Sequence, residues 1–259
     1  MRFLTFYLTF GFLLNLSFCI CIYGEGPSTL PEGSTLEKLK QLGLLKSDKV
    51  LKLHLGCGQS YFRGYMNIDF PLSQHTAQTT SVADFHADIT MLSFPENSVD
   101  EVRSHHVFEH FDRCTAMALL CNWSRWLKPG GVLVIETPDF QESVKLFMSS
   151  NLSYRDKQKV LRHIFGSHEA DWAIHCDGWY QEKYAYVLGE LGFSNISFKK
   201  TSYLGVIKNI IVTAYKKKSF DRKKLQDKAK KVLRDSLVTY KEKRMFNVWC
   251  NVFDKYFCK

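Results

Sequence analysis

The stretch Val-Leu-Lys-Leu-His-Leu-Gly-Cys-Gly, from Val50 to Gly58, decides the fold class. Its apolar residues predict a short buried strand, and its two glycines predict a tight turn after it. A dinucleotide-binding loop needs a third glycine three residues later, where Tyr61 stands instead, and no phosphate-loop Gly-Lys-Ser/Thr follows. A Gly-x-Gly pair also occurs in turns that bind nothing. The stretch therefore predicts either a plain turn or a loop that approaches a ligand without a pyrophosphate.

Strands and helices alternate beyond this loop. The composition is close to that of globular proteins, with 45% hydrophobic and 24% charged residues, which excludes collagen-like and wholly disordered chains. This alternation predicts an α/β fold with a mostly parallel sheet, closed by a terminal antiparallel hairpin. Predicted strands cover residues 50–55, 65–68, 81–87, 99–102, 132–136, 194–199 and 207–215, and predicted helices cover 108–126 and 181–191.

Polar residues follow several of these strands. In a parallel sheet, ligands bind beyond the carboxyl ends of the strands. Asp69 follows the second strand, where a carboxylate can accept two hydrogen bonds from a ribose diol. Asp88 follows the third, where it can accept from an adenine amino group, and His105–His110 follow the fourth. Each acid taken singly fits a helix cap or a solvated carboxylate as well, but their order indicates an adenosyl ligand.

From residue 49 to 216 the sequence resembles the class I S-adenosylmethionine-dependent methyltransferases, in particular the type 11 group. This resemblance implies a Rossmann-like fold with a seven-stranded sheet. A subset of relatives that share the Leu-His-Leu-Gly-Cys-Gly loop is similar to enzymes found beside polysaccharide assembly. The motifs that carry the resemblance are Leu53-His-Leu-Gly-Cys-Gly58, Asn67-Ile-Asp69, Ala87-Asp-Ile-Thr90, Phe94-Pro-Glu-Asn-Ser-Val-Asp-Glu101, His106-Val-Phe-Glu-His110, Leu127-Lys-Pro-Gly-Gly-Val-Leu-Val134 and Pro138-Asp139.

The resemblance implies S-adenosyl-L-methionine as the cofactor. In the family, the glycine loop holds the methionine part, the second-strand acid holds the ribose and the third-strand Asp contacts adenine. Three departures stand out: His54 replaces a common acid, Ser60 replaces a common glycine, and only ten residues separate Gly58 from Asp69. The cofactor-binding residues implied in this chain are His54, Gly56, Cys57, Gly58, Asp69, Asp88, Ile89 and His106.

Candidate catalytic groups lie near the predicted strand ends and in the irregular segment after the fifth strand. Methyl transfer requires an acceptor atom about 3 Å from the methyl carbon and a group that takes its proton. Glu109, His110 and His175 are the predicted catalytic residues, and Asp139 and His168 are further titratable groups nearby. No Cys/His cluster has structural zinc spacing, so no metal site is predicted.

The predicted activity is methyl transfer to a small-molecule or glycan-like acceptor. Two alternatives stay open at this point. One is a catalytically silent binding protein with a methyltransferase fold, and the other is an RNA methyltransferase that uses a basic tail. Nucleic acid is not expected as a partner, because no RNA-binding motif accompanies the charge.

Four segments are predicted. Residues 1–24 are predicted to form a signal peptide or signal anchor, because no charged residue interrupts Phe3–Tyr23. This segment predicts a secretory or membrane-anchored protein, and the alternative is a cytoplasmic protein. Residues 25–48 form a linker and short helix, and 49–216 the methyltransferase domain. Residues 217–259 form a basic amphipathic tail, which fits a membrane surface, RNA or packing onto the domain.

Overall fold

A seven-stranded sheet organises the protein, in a computed structural model that describes residues 34–45, 50–74 and 79–257. The strands are β1 (Lys52–Leu55), β2 (Met66–Asp69), β3 (Phe85–His86), β4 (Val99–His105), β5 (Leu127–Pro138), β6 (Phe193–Tyr203) and β7 (Ile207–Lys216). Their order is β3-β2-β1-β4-β5-β7-β6. The first five strands are parallel, and β7 runs antiparallel to both β5 and β6. This confirms the predicted fold class: a Rossmann-like methyltransferase sheet with a terminal hairpin.

Helices precede, connect and follow these strands. They are α1 (Thr35–Gln41), α2 (Arg113–Trp126), α3 (Phe140–Phe147), α4 (Tyr154–Phe165), α5 (Gln181–Glu190), α6 (Arg222–Arg234) and α7 (Lys243–Phe257). Ser34 and Glu37 form a capping box at α1, because each side chain accepts a hydrogen bond from the other residue's backbone N–H.

The core lies on the sheet face that packs against α2. Successive strand residues point to opposite faces, so Val102, Leu133 and Ile135 share one face, and all three are fully buried. Trp123 of α2 is also fully buried and contacts Phe108, with ring centroids 5.5 Å apart. This packing fixes the carboxyl ends of β4 and β5 relative to each other.

The opposite face carries a network of polar and charged side chains. Glu101 accepts hydrogen bonds from Tyr65 at 2.7 Å and from Arg103 at 2.9 Å. Within the described residues, the β1–β2 connection contains turns but no helix. A ten-residue connection is too short for the full helix that usually packs on this side, so side chains from the loop, such as Phe62, lie on the strands instead.

Three local predictions were wrong. The predicted helix 108–126 is a 3₁₀ turn at Phe108–His110 followed by α2, because Asp112 caps α2 by accepting from the N–H groups of Cys114 and Thr115. The Lys-Pro-Gly-Gly stretch at 128–131 predicts a turn from its sequence, but it lies within β5. Helices α3 and α4 were not predicted. Each has a single buried residue, Ser143 in α3 and Val160 in α4, whereas most residues of α2 are buried.

The basic tail packs onto the domain. Helices α6 and α7 both contact α2, and Leu225, Phe253 and Phe257 are essentially buried. Several tail lysines form ion pairs within the fold. For example, Nζ of Lys228 lies 3.1 Å from Oε2 of Glu190. This arrangement agrees with the packing interpretation of the tail.

The predicted targeting segment 1–24 lies outside the described residues. Within the ranges that the structure describes, none of the helices is long and apolar enough to cross a bilayer.

Candidate active site

The glycine loop after β1 is bonded directly to the end of β2. The Gly56 N–H donates to the carbonyl oxygen of Ile68 at 2.8 Å. The Gly58 N–H donates to Oδ2 of Asp69, and the Phe70 N–H donates to Oδ1 at 2.7 Å. Two backbone donors therefore orient the Asp69 carboxylate at the edge where the carboxyl ends of β1 and β2 meet.

Gly56 is required by packing as well as by backbone conformation. Its φ is +69°, in the left-handed region that favours glycine. A Cβ at this position would lie 2.3 Å from Cγ2 of Val107, in the loop after β4. The glycine thus lets the β1 and β4 loops approach each other. Cys57 beside it is buried, and burial together with the Asp69 charge raises the pKa of its thiol to about 12, so it is protonated at neutral pH.

Asp88 caps a short 3₁₀ helix. Its Oδ1 accepts hydrogen bonds from the N–H and the hydroxyl of Thr90, both at 2.8 Å. Among the described residues, no donor bonds to its Oδ2. Ile89 is buried in the hydrophobic core, so its side chain contributes to packing. The contact of Asp88 with adenine stays a prediction, and Oδ2 is the oxygen that this contact requires.

His54 is a buried histidine of the sheet. Its ring is 1% exposed and stacks on Phe62, with centroids 4.2 Å apart. Nδ1 donates to Oδ1 of Asn67 at 3.1 Å, and burial lowers the pKa of the ring, so it is neutral at pH 7. These contacts explain the departure from the common acid: the residue holds the short β1–β2 connection onto the strands.

His106 lies between two carboxylates at the end of β4. Nδ1 is 3.4 Å from Oε1 of Glu109, and Nε2 is 3.6 Å from Oε1 of Glu136. Burial disfavours the charged ring, but the two acids outweigh burial and raise the pKa of His106 to about 10. With this pKa the ring is a fixed cation at neutral pH. The backbone φ of His106 is +52°, which is unusual for a residue other than glycine.

The three predicted catalytic residues form one cluster. Single ligand-type atoms of Glu109, His110 and His175 all lie within 4.8 Å of one another. The Glu109 carboxylate is 2% exposed, and its oxygens accept no aligned hydrogen bond from the described residues. Burial would raise the pKa of this carboxyl, but His106 outweighs burial and lowers it. Burial lowers the pKa of His175, so this ring is neutral at pH 7 beside an anionic Glu109.

Backbone hydrogen bonds hold His175 against the 3₁₀ turn. The Cys176 N–H donates to the Glu109 carbonyl oxygen at 2.8 Å, and the His175 N–H donates to the Phe165 carbonyl oxygen at 3.1 Å. Gly166 is bridged to Ile174 in the same segment. The loop after α4 is thus fastened to the loop after β4 at Cys176 and to the end of α4 at His175.

Several site residues were missed at the sequence level. Glu136, at the end of β5, accepts from Nδ1 of His105 at 2.8 Å, and the two histidines hold its pKa well below the usual value. Nδ2 of Asn209, on β7, donates to Oε1 of Glu136 at 3.4 Å and lies 3.3 Å from Nε2 of His106. The position of Glu136 at a predicted strand end was a usable signal, whereas nothing local singles out Asn209.

Two further candidates have structural contacts. Asp139 is buried and caps α3 by accepting from the Glu142 N–H at 3.1 Å, with Lys200 3.6 Å from its other oxygen. His168 is exposed, and its Nε2 donates to the Phe165 carbonyl oxygen at 2.9 Å.

The residues present fit S-adenosylmethionine. Two backbone donors orient the Asp69 carboxylate, and a carboxylate at this strand end can accept hydrogen bonds from a ribose diol. The Asp88 carboxylate, with one oxygen engaged, follows β3, and the anionic Glu109, which suits a ligand that carries positive charge, follows β4. The carboxyl-end location is the one that open α/β sheets use for ligands.

Residues 53–135 match the family model described as a methyltransferase domain, Methyltransf_11, which spans β1 to the middle of β5. No curated protein matches the sequence.

Several solved structures are similar. A SAM-dependent methyltransferase from Methanosarcina mazei is 15% identical, with 69% of this chain and 98% of that chain covered and a TM-score of 0.44. One from Archaeoglobus fulgidus is 15% identical, with 70% and 92% covered and a TM-score of 0.44. Human N-acetylserotonin methyltransferase, in complex with SAM, is 17% identical, with 65% and 48% covered and a TM-score of 0.41. The family match over residues 53–135 and the sheet order together indicate a methyltransferase domain of Rossmann-like fold, and this similarity implies S-adenosyl-L-methionine as the cofactor.

Proposed function

We propose that the protein transfers a methyl group from S-adenosylmethionine to a hydroxyl of a small, sugar-like acceptor. The observation that carries this proposal is the convergence of four strand ends: the glycine loop, Asp69, His106 and Glu136 lie at one edge of the sheet. The cofactor supplies the methyl group as an electrophilic carbon on a sulfonium. The chain must therefore bind the adenosyl part, orient the acceptor and accept its proton.

Asp69 is the main determinant of cofactor binding in this proposal. Its two backbone hydrogen bonds keep the carboxylate oriented before the ligand arrives, so little side-chain freedom is lost on binding. Hydrogen bonds from a ribose diol to this charge are worth about 1.5–3 kcal/mol each at most. Gly56, Gly58 and Cys57 provide the backbone beside it, and Asp88 provides the adenine acceptor.

The acceptor end is lined with hydrogen-bonding groups. The His106 side chain is 44% exposed and cationic, and it can donate to a hydroxyl oxygen. Asn209 has a buried Oδ1 that lacks a donor among the described residues. Trp172 lies 6.2 Å from His110, ring to ring, and an indole face suits the apolar face of a sugar. These side chains favour a polyhydroxylated acceptor over an apolar one.

Proton removal is assigned to the cluster of Glu109, His110 and His175. At neutral pH Glu109 is anionic and His175 is neutral, so the cluster can take up a proton. Nε2 of His175 is 3.9 Å from Oε1 of Glu109, which places a negative charge where an imidazolium would form. With the cofactor held by Asp69 and Asp88, the acceptor oxygen would take the methyl group from sulfur, and its proton would pass to this cluster.

The decisive measurement is S-adenosylmethionine binding by isothermal titration calorimetry. Asp69→Ala should weaken binding at least tenfold, since a charge-assisted pair of hydrogen bonds is lost. Asp227→Ala is the matched control: it removes an exposed carboxylate of α6 that pairs with Lys223, and binding should not change. Circular dichroism confirms that both variants fold. Unchanged binding in Asp69→Ala removes Asp69 from the site, and tighter binding of a dinucleotide contradicts the whole proposal.

Methyl transfer from labelled cofactor into a glycan and metabolite extract tests the acceptor class. Label in a sugar-containing product supports the proposal. Cofactor binding with no transfer to any fraction indicates the catalytically silent protein instead. Label in RNA indicates the RNA methyltransferase instead, whereas loss of nucleic-acid retention at moderate salt removes that alternative.

A further inference from the structure

We propose that Glu109, His110 and His175 bind a divalent transition-metal ion, which activates the acceptor hydroxyl. This inference deepens the proposed function, because it assigns proton removal to the ion held by these residues. Two imidazoles and one carboxylate form a donor set typical of Zn²⁺ and related ions. The three ligand-type atoms already lie within 4.8 Å of one another.

The Glu109 carboxylate is the observation that points most directly to an ion. It is buried in the interior, and among the described residues neither oxygen accepts an aligned hydrogen bond. An unsatisfied buried carboxylate is costly, because neither water nor a hydrogen-bond donor offsets its desolvation. His106 approaches Oε1 to 3.4 Å, which leaves the second oxygen to an ion.

His110 is oriented as metal-binding histidines usually are. Its Nδ1 lies 3.1 Å from the carbonyl oxygen of Ile174. A ring that donates Nδ1–H to a backbone carbonyl carries its lone pair on Nε2, and this arrangement recurs at metal sites. The Nδ1 atom of His175 is also buried without a hydrogen-bond partner in the described part of the chain.

The backbone holds the ligands on two segments that are fastened together. His175 lies between two hydrogen bonds, one from Cys176 to the Glu109 carbonyl and one to the Phe165 carbonyl. Around a zinc ion with bonds of about 2.1 Å, neighbouring ligand atoms lie about 3.3 Å apart. The cluster must therefore close by roughly 1.5 Å, which side-chain rotation supplies without moving the backbone.

The ion would lower the pKa of an acceptor hydroxyl bound to it. With their lone pairs on the ion, the three side chains would not take the proton themselves. The hydroxyl proton would leave to solvent as the oxygen bonds to the methyl carbon and the carbon–sulfur bond breaks. No oxidant or reductant takes part. Three protein ligands leave at least one coordination position for the acceptor, as in catalytic zinc sites.

Metal content after dialysis tests the site. The full-length protein is dialysed against Zn²⁺ or Co²⁺, bound metal is counted, and the Co²⁺ absorption bands are recorded. We expect one bound ion per chain, and at least tenfold weaker binding in His110→Ala and in His175→Ala. His86→Ala is the matched control, because it removes an exposed imidazole of β3, and binding should be unchanged. Circular dichroism checks that each variant folds, and the more conservative His175→Gln removes the ligand nitrogen with less change in side-chain size and polarity.

The outcomes separate this inference from the proposed function. No bound ion, or ion binding unaffected by both His175 variants, overturns the metal site. Asp69→Ala should lose cofactor binding and keep the ion. An ion that binds through these residues in a protein that fails to bind S-adenosylmethionine supports the metal site and removes the proposed function.

Discussion

At the scale of single residues, buried histidines set how the protein responds to acid. His54, His163 and His175 all have pKa values lowered by burial. Each ring is neutral in the folded protein, whereas in the unfolded chain it takes up a proton below about pH 6.5. The unfolded state therefore binds more protons, and the free energy of unfolding falls as pH drops below that value.

His54→Gln tests this dependence at the most buried of the three positions. One proton contributes at most about 1.4 kcal/mol per pH unit to the slope of stability against pH. Between pH 6.5 and 5, urea unfolding should show a shallower slope for His54→Gln than for the wild type. The exposed His86→Gln is the control and should keep the wild-type slope. An equal slope in His54→Gln would mean that this ring is protonated in the folded state.

His106 responds in the opposite direction. Its pKa of about 10 lies above the usual value of 6.5, because Glu109 and Glu136 stabilise the charged ring. The stability it contributes is fully present below pH 6.5 and is lost only as the pH rises through about 10. The site thus keeps one fixed cation and one neutral histidine, His175, across the neutral range, which separates their chemical roles.

At the scale of elements, two loops position the site. The β1 loop needs Gly56 because Val107 occupies the space of a side chain there. The loop after α4 needs Gly166, whose φ is +95° and whose Cβ position lies 2.2 Å from the carbonyl oxygen of Ala173. Backbone crowds Gly166, so no side-chain rotation can relieve the contact.

Gly166→Ala and Gly64→Ala separate the effect of crowding from that of backbone strain. Gly64 has a similar φ of +86° but nothing within 4 Å of its Cβ position. Gly64→Ala should cost only the strain, about 1–3 kcal/mol in the free energy of unfolding. Gly166→Ala should cost a further ~1–3 kcal/mol and should weaken ion binding, because His175 lies in the displaced segment. Equal unfolding midpoints and equal Co²⁺ spectra in the two variants would contradict the role given to Gly166.

At the scale of the whole molecule, the tail helices cover α2 and leave the carboxyl edge of the sheet to the site. Asn122 of α2 is buried, and its Nδ2 donates to the Tyr256 carbonyl oxygen at 2.9 Å. The sequence contains three Asn-x-Ser glycosylation sequons, at Asn122, Asn151 and Asn195, and the first is therefore inaccessible in the folded protein. Asn151 and Asn195 are exposed.

The apolar run at residues 3–23 predicts that the full-length chain sediments with membranes or loses this segment in the secretory pathway. Deleting residues 1–24 should leave a protein that still binds S-adenosylmethionine, because every described strand lies beyond residue 51. Cell fractionation and N-terminal sequencing check the first expectation, and calorimetry checks the second. An intact, unglycosylated chain in the soluble cytosolic fraction would defeat the targeting hypothesis.

The sequons report which side of the membrane the domain faces. Expression in a glycosylating cell should give a glycosidase-sensitive mass shift only if the domain is luminal. That shift should disappear in the double variant Asn151→Gln and Asn195→Gln, whereas the buried Asn122→Gln should leave it unchanged.

The sequence by itself determined the alternation of strands and helices, the glycine loop and the acid at the end of β2. These features depend on residues close in the chain: apolar runs, turn glycines and strand-end carboxylates have local physical causes. The capping box of α1 was readable for the same reason.

Only the tertiary structure decided which polar groups meet. His110 contacts Ile174 across 64 positions, and Asn209 reaches His106 across 103. The path of the loop after α4 and the antiparallel placement of β7 set these contacts, and neither leaves a local pattern in the sequence. Burial likewise decided the charge states, because the desolvation of Glu109 and His175 depends on everything packed around them.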